Sequence, residues 1–463
     1  MQKLICASLA ALALVQTPVH ARPFTAKDMA TLNRVGAPAI SPDGKWMAYQ
    51  MRSTDLAANK GRIDLYLLDI SRPGQTPKMI ASKPDKNETS PTFSPDGKWL
   101  YYLSNESGDD QLWRVAIAGG TPSQLSDAKD GIAGFKIAPT GDKAAVWADR
   151  PVGAKTLADV KPDAKPEDGS ARIYDKMFVR HWDAWSDGQR SQIFVMPLTG
   201  GTDARNAISV MGGLEGDTPS KPFGGSEEIA WAPDGKTLYF ALREAGRIEP
   251  LSTNLDIFAA PADGSAAPTN LTDANDATDT LPAVSPDGNW LAYAAMKRPG
   301  YESDRQVLML RDIATGQTRA VTESWDRSVA SIAWSPDGKS IYVTAQDTLD
   351  EPVFSIDVTS GKVTRLTQQG TAGNLVPLPQ GGFVYSLNSI QFPDDFWVMS
   401  PKGKSWQATW ANKDRLADID PVTVDRFSFA GANGDTVWGQ IVKPAGAKGP
   451  DRKSTRLNSS HRC

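Results

Sequence analysis

The sequence predicts an all-β fold: a seven-bladed β-propeller, followed by the first strands of a truncated α/β domain. Three observations lead there. A Pro-Asp-Gly turn recurs along the chain at a nearly fixed spacing. Short runs rich in Trp, Tyr, Val and Ile flank each copy. Glycine and proline are abundant, at 39 and 33 of 463 residues, whereas His is scarce at 3 and Cys at 2. Self-similarity with a period of about 40–50 residues, four short strands to each unit, is the signature of a propeller blade.

The chain opens on a segment outside the fold. Lys3 precedes an apolar run, Leu4 to Val15, too short to span a bilayer, and Ala21 suits signal peptidase. Residues 1–21 are therefore expected to be a secretory signal, which places the protein in the periplasm or outside the cell. Cys6 lies early in the run, not at its close, so no lipid anchor is predicted. No other segment approaches the length of a membrane span. Thr25 to Val35 is expected to form a short helix with Thr25 or Asp28 near its start.

The repeat then begins. Ser41-Pro42-Asp43-Gly44-Lys45-Trp46 returns as Ser94-Pro95-Asp96-Gly97-Lys98-Trp99. It returns again at Ala232–Lys236, Ser285–Trp290 and Ser335–Lys339, with decayed copies at Ala138–Asp142 and Leu378–Gly382. Pro presets φ at the second position of a type I turn, Asp tolerates the third and Gly suits the fourth. Strand-like runs surround each turn, such as Ser331–Trp334 before and Ile341–Val343 after. Asp64–Leu68, Gln111–Val115, Asp256–Phe258 and Phe396–Met399 supply third strands, and Lys362–Thr367 a fourth. Because both faces of a blade pack on neighbours, these runs are apolar on both faces. The step from Pro139 to Pro233 is about twice the others. It is read as one enlarged blade, with polar loops near 151–171 and 211–225 and strands at 173–181 and 192–198. The propeller is assigned to 22–412.

Val424–Phe429 and Thr436–Pro444 read as two strands joined by Ala430–Asp435. They are expected to form a hairpin in the segment that follows the propeller, 413–450. Residues 451–463 are basic and apolar-poor. They read as a non-native tail after a truncation.

Removing the two ends leaves an acidic chain without Cys and with one His, His181. A formal charge of −4 excludes a nucleic-acid binder held by a broad basic field. Without Cys there is no disulfide and no zinc–thiolate site. No metal and no cofactor are expected. The adjacent acids Asp109-Asp110, Glu227-Glu228 and Asp394-Asp395 are read as solvated loop residues.

Three segments carry a family resemblance. They are Phe24–Met29 leading through Val35 to the first Pro-Asp-Gly turn, Val179–Gly188 (Val-Arg-His-Trp-Asp-Ala-Trp-Ser-Asp-Gly), and Arg298–Arg305 (Arg-Pro-Gly-Tyr-Glu-Ser-Asp-Arg). The chain resembles the propeller half of an exported prolyl oligopeptidase (S9) family serine peptidase, nearest the dipeptidyl-peptidase 5 and acylaminoacyl-peptidase branch. The turns alone are shared with TolB-like propellers. The resemblance implies that 413–450 is the linker and the start of an α/β-hydrolase domain, whose sheet the hairpin opens. It also implies a peptide substrate, a dipeptidyl or aminoacyl peptidase activity, and a propeller that gates and binds the peptide.

Such an enzyme needs a G-x-S-x-G elbow with Asp and His after it. The sequence holds none: Gly224–Glu228 and Gly338–Tyr342 both fail the pattern. His181 is the sole candidate base, and it is read as a packing or hydrogen-bonding residue. The catalytic set is therefore expected to be absent. The resemblance further implies that propeller carboxylates grip the substrate amine. Glu302 beside Tyr301 and Asp183 beside His181 are the candidates, since an ammonium is met by a carboxylate and an aromatic wall. Trp182, Trp185 and Tyr301 are read as packing residues rather than pocket walls. The competing reading is a TolB-like periplasmic scaffold that docks proteins. Self-association into a homo-oligomer stays open.

Overall fold

The computed structural model describes residues 21–163, 169, 171–177, 179–244 and 246–445. The expected leader, but for Ala21, and the expected tail lie outside the described residues, as does part of the loop near 151–171.

Helix α1 (Ala26–Thr31) comes first, and Thr25 caps it. The Thr25 hydroxyl accepts the Asp28 N–H, and the Asp28 carboxylate accepts the Thr25 N–H, which satisfies two otherwise orphaned donors. The helix stops short of Val35 because Arg34 already pairs in a strand.

Blade one is β1 (Arg34–Ile40), β2 (Trp46–Asp55), β3 (Lys60–Asp69) and β4 (Lys78–Ala81). Blade two is β5 (Glu88–Phe93), β6 (Trp99–Ser104), β7 (Gln111–Ala116) and β8 (Ser123–Gln124). Blade three begins with β9 (Gly134–Ile137) and β10 (Lys143–Pro151). A small hairpin, β11 (Arg180–His181) and β12 (Ala184–Trp185), interrupts it before β13 (Gln189–Pro197) and β14 (Ile208–Ser209). Blade four is β15 (Ile229–Trp231), β16 (Thr237–Leu242), β17 (Asp256–Pro261) and β18 (Thr269–Asn270). Blade five is β19 (Asp279–Val284), β20 (Trp290–Ala295), β21 (Val307–Asp312) and β22 (Thr318–Ala320). Blade six is β23 (Ala333–Trp334), β24 (Ser340–Thr344), β25 (Val353–Asp357) and β26 (Val363–Arg365). Blade seven is β27 (Thr371–Pro377), β28 (Phe383–Ser389), β29 (Phe392–Met399) and β30 (Ser405–Gln407). Helix α2 (Lys413–Leu416) and the hairpin β31 (Thr423–Ala430) with β32 (Thr436–Lys443) follow.

Every blade pairs its strands antiparallel in chain order, so the enlarged step is indeed one blade. The strand expected at 173–181 reduces to Arg180–His181, because only those two residues find partners, Trp185 and Ala184.

The repeated turn owes as much to its serine as to Pro-Asp-Gly. Ser41, Ser94, Ser285 and Ser335 are buried, and each donates its hydroxyl to the turn aspartate at 2.5–2.7 Å. The same hydroxyl oxygen accepts a backbone N–H five residues on, at 2.9–3.0 Å. The hydroxyl's donation to the carboxylate holds each aspartate below the ordinary carboxylate range. The turns also lean on one another. A Cβ on Gly97 would lie 3.5 Å from Pro42, one blade back. On Gly235 it would meet Thr140 at 2.8 Å, and on Gly44 it would meet the Gln380 amide at 2.0 Å. Blade four thus abuts blade three directly, and blade one abuts blade seven.

A second device recurs at the end of the fourth strands. Ser126, Thr272, Thr322, Thr367 and Thr409 are buried. Each hydroxyl accepts a backbone N–H from near the start of its blade's third strand at 2.8–2.9 Å. The outermost strand is thereby tied to its blade where its ladder is only two or three residues long.

Among the described residues no strand is shared between first and last blades; backbone bonds of Arg22 with Asp418 and Asp420, at 2.8 and 2.9 Å, and side chains join the two ends of the ring. Asn412 and Asn33 exchange two bonds at 2.8 and 2.9 Å, and the Asn33 amide also donates to the Ala411 carbonyl at 2.8 Å. Arg22 bridges Asp28 and Asp418 at 2.7 and 2.9 Å. Met47, Tyr49 and Leu68 pack against Val384, Phe396 and Val398 across the same seam.

Candidate functional site

Antiparallel strands alternate in direction, so the loops between second and third strands leave the face opposite the Ser-Pro-Asp-Gly turns. Both sequence-predicted residue pairs sit on this face. It also receives the β31–β32 hairpin, through Arg426 on Asp350 and the Gln391 amide on the Val422 carbonyl.

His181 and Asp183 lie on the β11–β12 hairpin of blade three, and both are exposed. The His181 ring meets Trp182 edge-on at 4.7 Å. The hairpin is held by Ser186 N–H on the Val179 carbonyl at 3.0 Å and by the Tyr174 hydroxyl on the Ser186 carbonyl at 3.1 Å. Trp182 and Trp185 are not packing residues: they are 66% and 55% exposed. They stand on an insertion whose hairpin forms a two-stranded sheet of its own, separate from that of the blade.

Tyr301 and Glu302 lie in the loop between β20 and β21 of blade five, and Glu302 is exposed. The loop is built on Asp304, which accepts the backbone N–H groups of Lys297 and Arg298 at 2.9 and 2.8 Å and Arg298 Nε at 3.1 Å. Burial works against its charge, yet these donors outweigh it and hold the Asp304 carboxyl below its ordinary range. The Arg298 guanidinium lies 3.9 Å from the centre of the Tyr301 ring. One face of the aromatic wall expected beside Glu302 therefore already carries a cation. The two pairs stand on different blades and do not form one cluster.

A cavity of about 890 Å³ opens in the channel between the first three blades and the approach to the fourth. None of the four predicted residues lines it. Its wall includes the inner strands at Ala37, Ser90 and Phe135, the acids Asp109, Asp110, Asp130 and Asp149, and the Ser220–Pro222 segment. Ala37 and Ser90 sit in bulges of their strands with φ of 46° and 55°, conformations that a residue with a Cβ rarely adopts. Lys221 pairs with Asp149 at 2.7 Å and Asp217 at 3.4 Å. Asp109 and Asp110 form no ion pair among the described residues. Desolvation in the channel, then the charge of Asp109, raises the Asp110 carboxyl.

Arg150, 1% exposed, supports this wall from behind. Its guanidinium donates to the carbonyls of Leu157, Asp149 and Lys129 at 2.8–2.9 Å. It thereby ties the blade-three insertion to the loop carrying Asp130.

The solvated reading holds for Asp109, Asp110 and Glu227, which are exposed, with Asp109-Asp110 at the open wall of the cavity; it fails for Glu228 and Asp395, buried at 6% and 9% exposure. Glu228 accepts the Ser220 N–H and hydroxyl at 2.6 and 2.8 Å, which fixes the cavity's Ser220 segment. Asp395 accepts Thr409 and the Ala411 N–H. Nothing in the sequence around Asp109-Asp110 separates them from the other two pairs. Among the described residues no group of three or more His, Cys, Asp or Glu could hold a metal ion. No helix among them is long and apolar enough to cross a membrane.

Residues 25–168 match the family described as PD40, the TolB beta propeller domain. The chain is 31% identical over 416 residues to a dipeptidyl-peptidase 5 of Porphyromonas gingivalis, covering 89% of this chain and 60% of that relative. The resemblance read from the sequence, to the prolyl oligopeptidase (S9) family and its dipeptidyl-peptidase 5 branch, is borne out over the propeller. The chain spans about 60% of the length of that relative. Among solved structures, an acylaminoacyl peptidase in complex with Z-Gly-Gly-Phe-chloromethyl ketone shares the fold. Its TM-score is 0.69 at 14% identity, over 91% of this chain and 60% of that one. The β-propeller domain of the Trilobed protease from Pyrococcus furiosus, described as having an open velcro topology, gives a TM-score of 0.54 at 13% identity. That match covers 82% of this chain and 99% of the domain. Among the described residues of this chain the first and last blades share no strand and meet at Asn33, Asn412 and the seam around Phe396.

Proposed function

We propose that this chain is the peptide-binding propeller of an exported serine exopeptidase acting on oligopeptides, and that a hydrolase domain supplies the catalytic triad. The observation that carries the reading is the acid-lined cavity on the face where the β31–β32 hairpin docks. A peptide held at that face carries a free ammonium, and Asp109, Asp110 and Asp130 give the channel the complementary charge. Glu302 and Asp183, exposed on the same face, are the candidates for the direct amine contact. In this reading the propeller gates access, because a peptide crossing the ring meets the bulged inner strands at Ala37 and Ser90. Export rests on the leader expected at 1–21.

The test is calorimetric titration of the purified chain with a free-amine tetrapeptide and its N-acetylated form. The free amine is expected to bind about tenfold more tightly, and Glu302→Gln or Asp183→Asn to weaken it. Equal affinity for both peptides overturns the amine-binding role. The protein-docking scaffold is favoured by the TolB-type match over 25–168. It predicts that neither peptide binds.

A further inference from the structure

The hairpin tip carries an unusual combination. Trp182 and Asp183 form its two-residue turn, and Trp182 has φ of 45°, a left-handed conformation that favours glycine. A tryptophan there is strained, and 66% of its surface faces solvent. Its ring lies 5.7 Å from that of Phe223, which is 82% exposed. Neither strain nor exposure serves the fold of an isolated propeller. Backbone strain of this kind concentrates at functional sites, and exposed apolar patches mark binding surfaces.

The position narrows what this surface meets. Pro222 and Gly224, on either side of Phe223, line the acidic cavity. The loops beneath are braced: Arg190 binds Glu249 at 2.6 and 2.9 Å and Asp217 at 2.9 Å, all three largely buried. Lys176 ties the insertion to Glu215 at 2.7 Å. The aromatic pair is therefore a fixed ledge on the lip of a channel whose acids Asp109 and Asp110 lack basic partners among the described residues. A ligand fitting both features carries a positive charge and, beside it, an apolar side chain. A peptide with a free N-terminus has that chemistry.

We infer that Trp182 and Phe223 form a subsite for an apolar or aromatic side chain of the incoming peptide, at the mouth of the propeller channel. The inference deepens the peptide-binding reading above and rests on it. Stacking on two rings favours Phe, Tyr or Leu over Gly in the bound peptide, while the channel acids set the direction in which it lies.

The test uses the whole chain and two free-amine tetrapeptides, Phe-Phe-Ala-Ala and Gly-Gly-Ala-Ala, followed by calorimetry and by quenching of tryptophan fluorescence. The aromatic peptide is expected to bind about tenfold more tightly and to quench. Trp182→Gly removes the ring and suits the positive φ. It is expected to keep or raise the melting temperature, abolish the preference, and leave the Gly-Gly peptide unaffected. Phe223→Ala is expected to do the same to the preference. Equal affinity of both peptides for the unaltered chain, or a preference that survives both substitutions, overturns the subsite alone. Failure of both peptides to bind overturns the peptide reading with it. Binding to anionic phospholipid vesicles that Trp182→Gly abolishes, with no peptide preference, overturns the inference in favour of a lipid surface.

Discussion

Arg426 of the terminal hairpin sets both guanidinium nitrogens on the carboxylate of Asp350, at 2.6 and 2.7 Å. Asp350 is 7% exposed and also accepts the Gly370 N–H at 2.8 Å. It belongs to the blade-six loop beside Asp347, which itself binds Arg327 and Arg365 at 2.9 and 2.8 Å. A paired guanidinium and carboxylate fix orientation as well as distance. The hairpin after the propeller is thereby set onto blade six.

Breaking this pair is expected to release the hairpin and leave the ring intact. Arg426→Ala removes two charge-assisted bonds, and partial exposure of the pair limits the loss to about 1–2 kcal/mol. Hydrogen exchange followed by mass spectrometry reads it as faster exchange across 423–443 with blades two to four unchanged. The pair also has a pH signature. Burial works against the Asp350 charge, but Arg426 and the Gly370 N–H outweigh it and lower the carboxyl. A lowered folded value means that the contribution is full above the ordinary carboxylate range and is lost as pH falls through the folded value. Acid is therefore expected to speed exchange in the unaltered hairpin and to change Arg426→Ala little.

Asp279 carries the opposite sign. It is 1% exposed, accepts one bond from the Asn275 amide at 3.0 Å, and its second oxygen has no hydrogen-bond partner among the described residues. Burial pushes its carboxyl up to about 7. The folded state then binds the proton more tightly than the unfolded chain. Its penalty is absent below the ordinary carboxylate value, grows as pH rises through the interval up to about 7, and is constant above that. Asp279→Asn is expected to stabilise the protein at pH 8 by roughly 2–4 kcal/mol and to flatten this part of the profile. Urea unfolding at pH 5 and pH 8 checks it: an equal effect at both values contradicts the assignment.

Asn412 is 2% exposed and joins the two ends of the ring. Asn412→Ala leaves the backbone N–H and carbonyl of Asn33 without their partner. The expected cost is about 2 kcal/mol, seen as a lower urea midpoint with an unchanged slope. A lower slope shows instead that the ring opens before the blades unfold.

The blades were legible because their signal is local. A Ser-Pro-Asp-Gly turn specifies its own hydrogen bonds within six residues, so each copy announces a hairpin wherever it stands. The capping box of Thr25 and Asp28 was readable for the same reason. The serine's part was less plain. Its hydroxyl works on an N–H five residues away, a relation visible only once the hairpin exists. The Ser126, Thr272 and Thr367 ties to third strands 14–15 residues earlier were hidden by the same separation.

The site was read only in part. Val179–Gly188 and Arg298–Arg305 stood out as segments, and the structure puts both on the face that receives β31–β32. Their surroundings were not legible. Arg298 over Tyr301 follows from the Asp304-centred turn. Trp182 and Trp185 looked like packing residues because tryptophan usually is buried, whereas their hairpin forms a sheet of its own, separate from that of the blade.

By itself the sequence determined the number of blades, the turns that punctuate them, and the lack of a nucleophile elbow. These are properties of short stretches and of composition. Only the tertiary structure decided that Asp109-Asp110 face a cavity while Glu228 and Asp395 are buried as braces. Only it brought Phe223 to Trp182, and Arg426 to Asp350. Burial and neighbours depend on which blades meet around the ring, and closing the ring joins residues as far apart as Asn33 and Asn412, which no local pattern encodes.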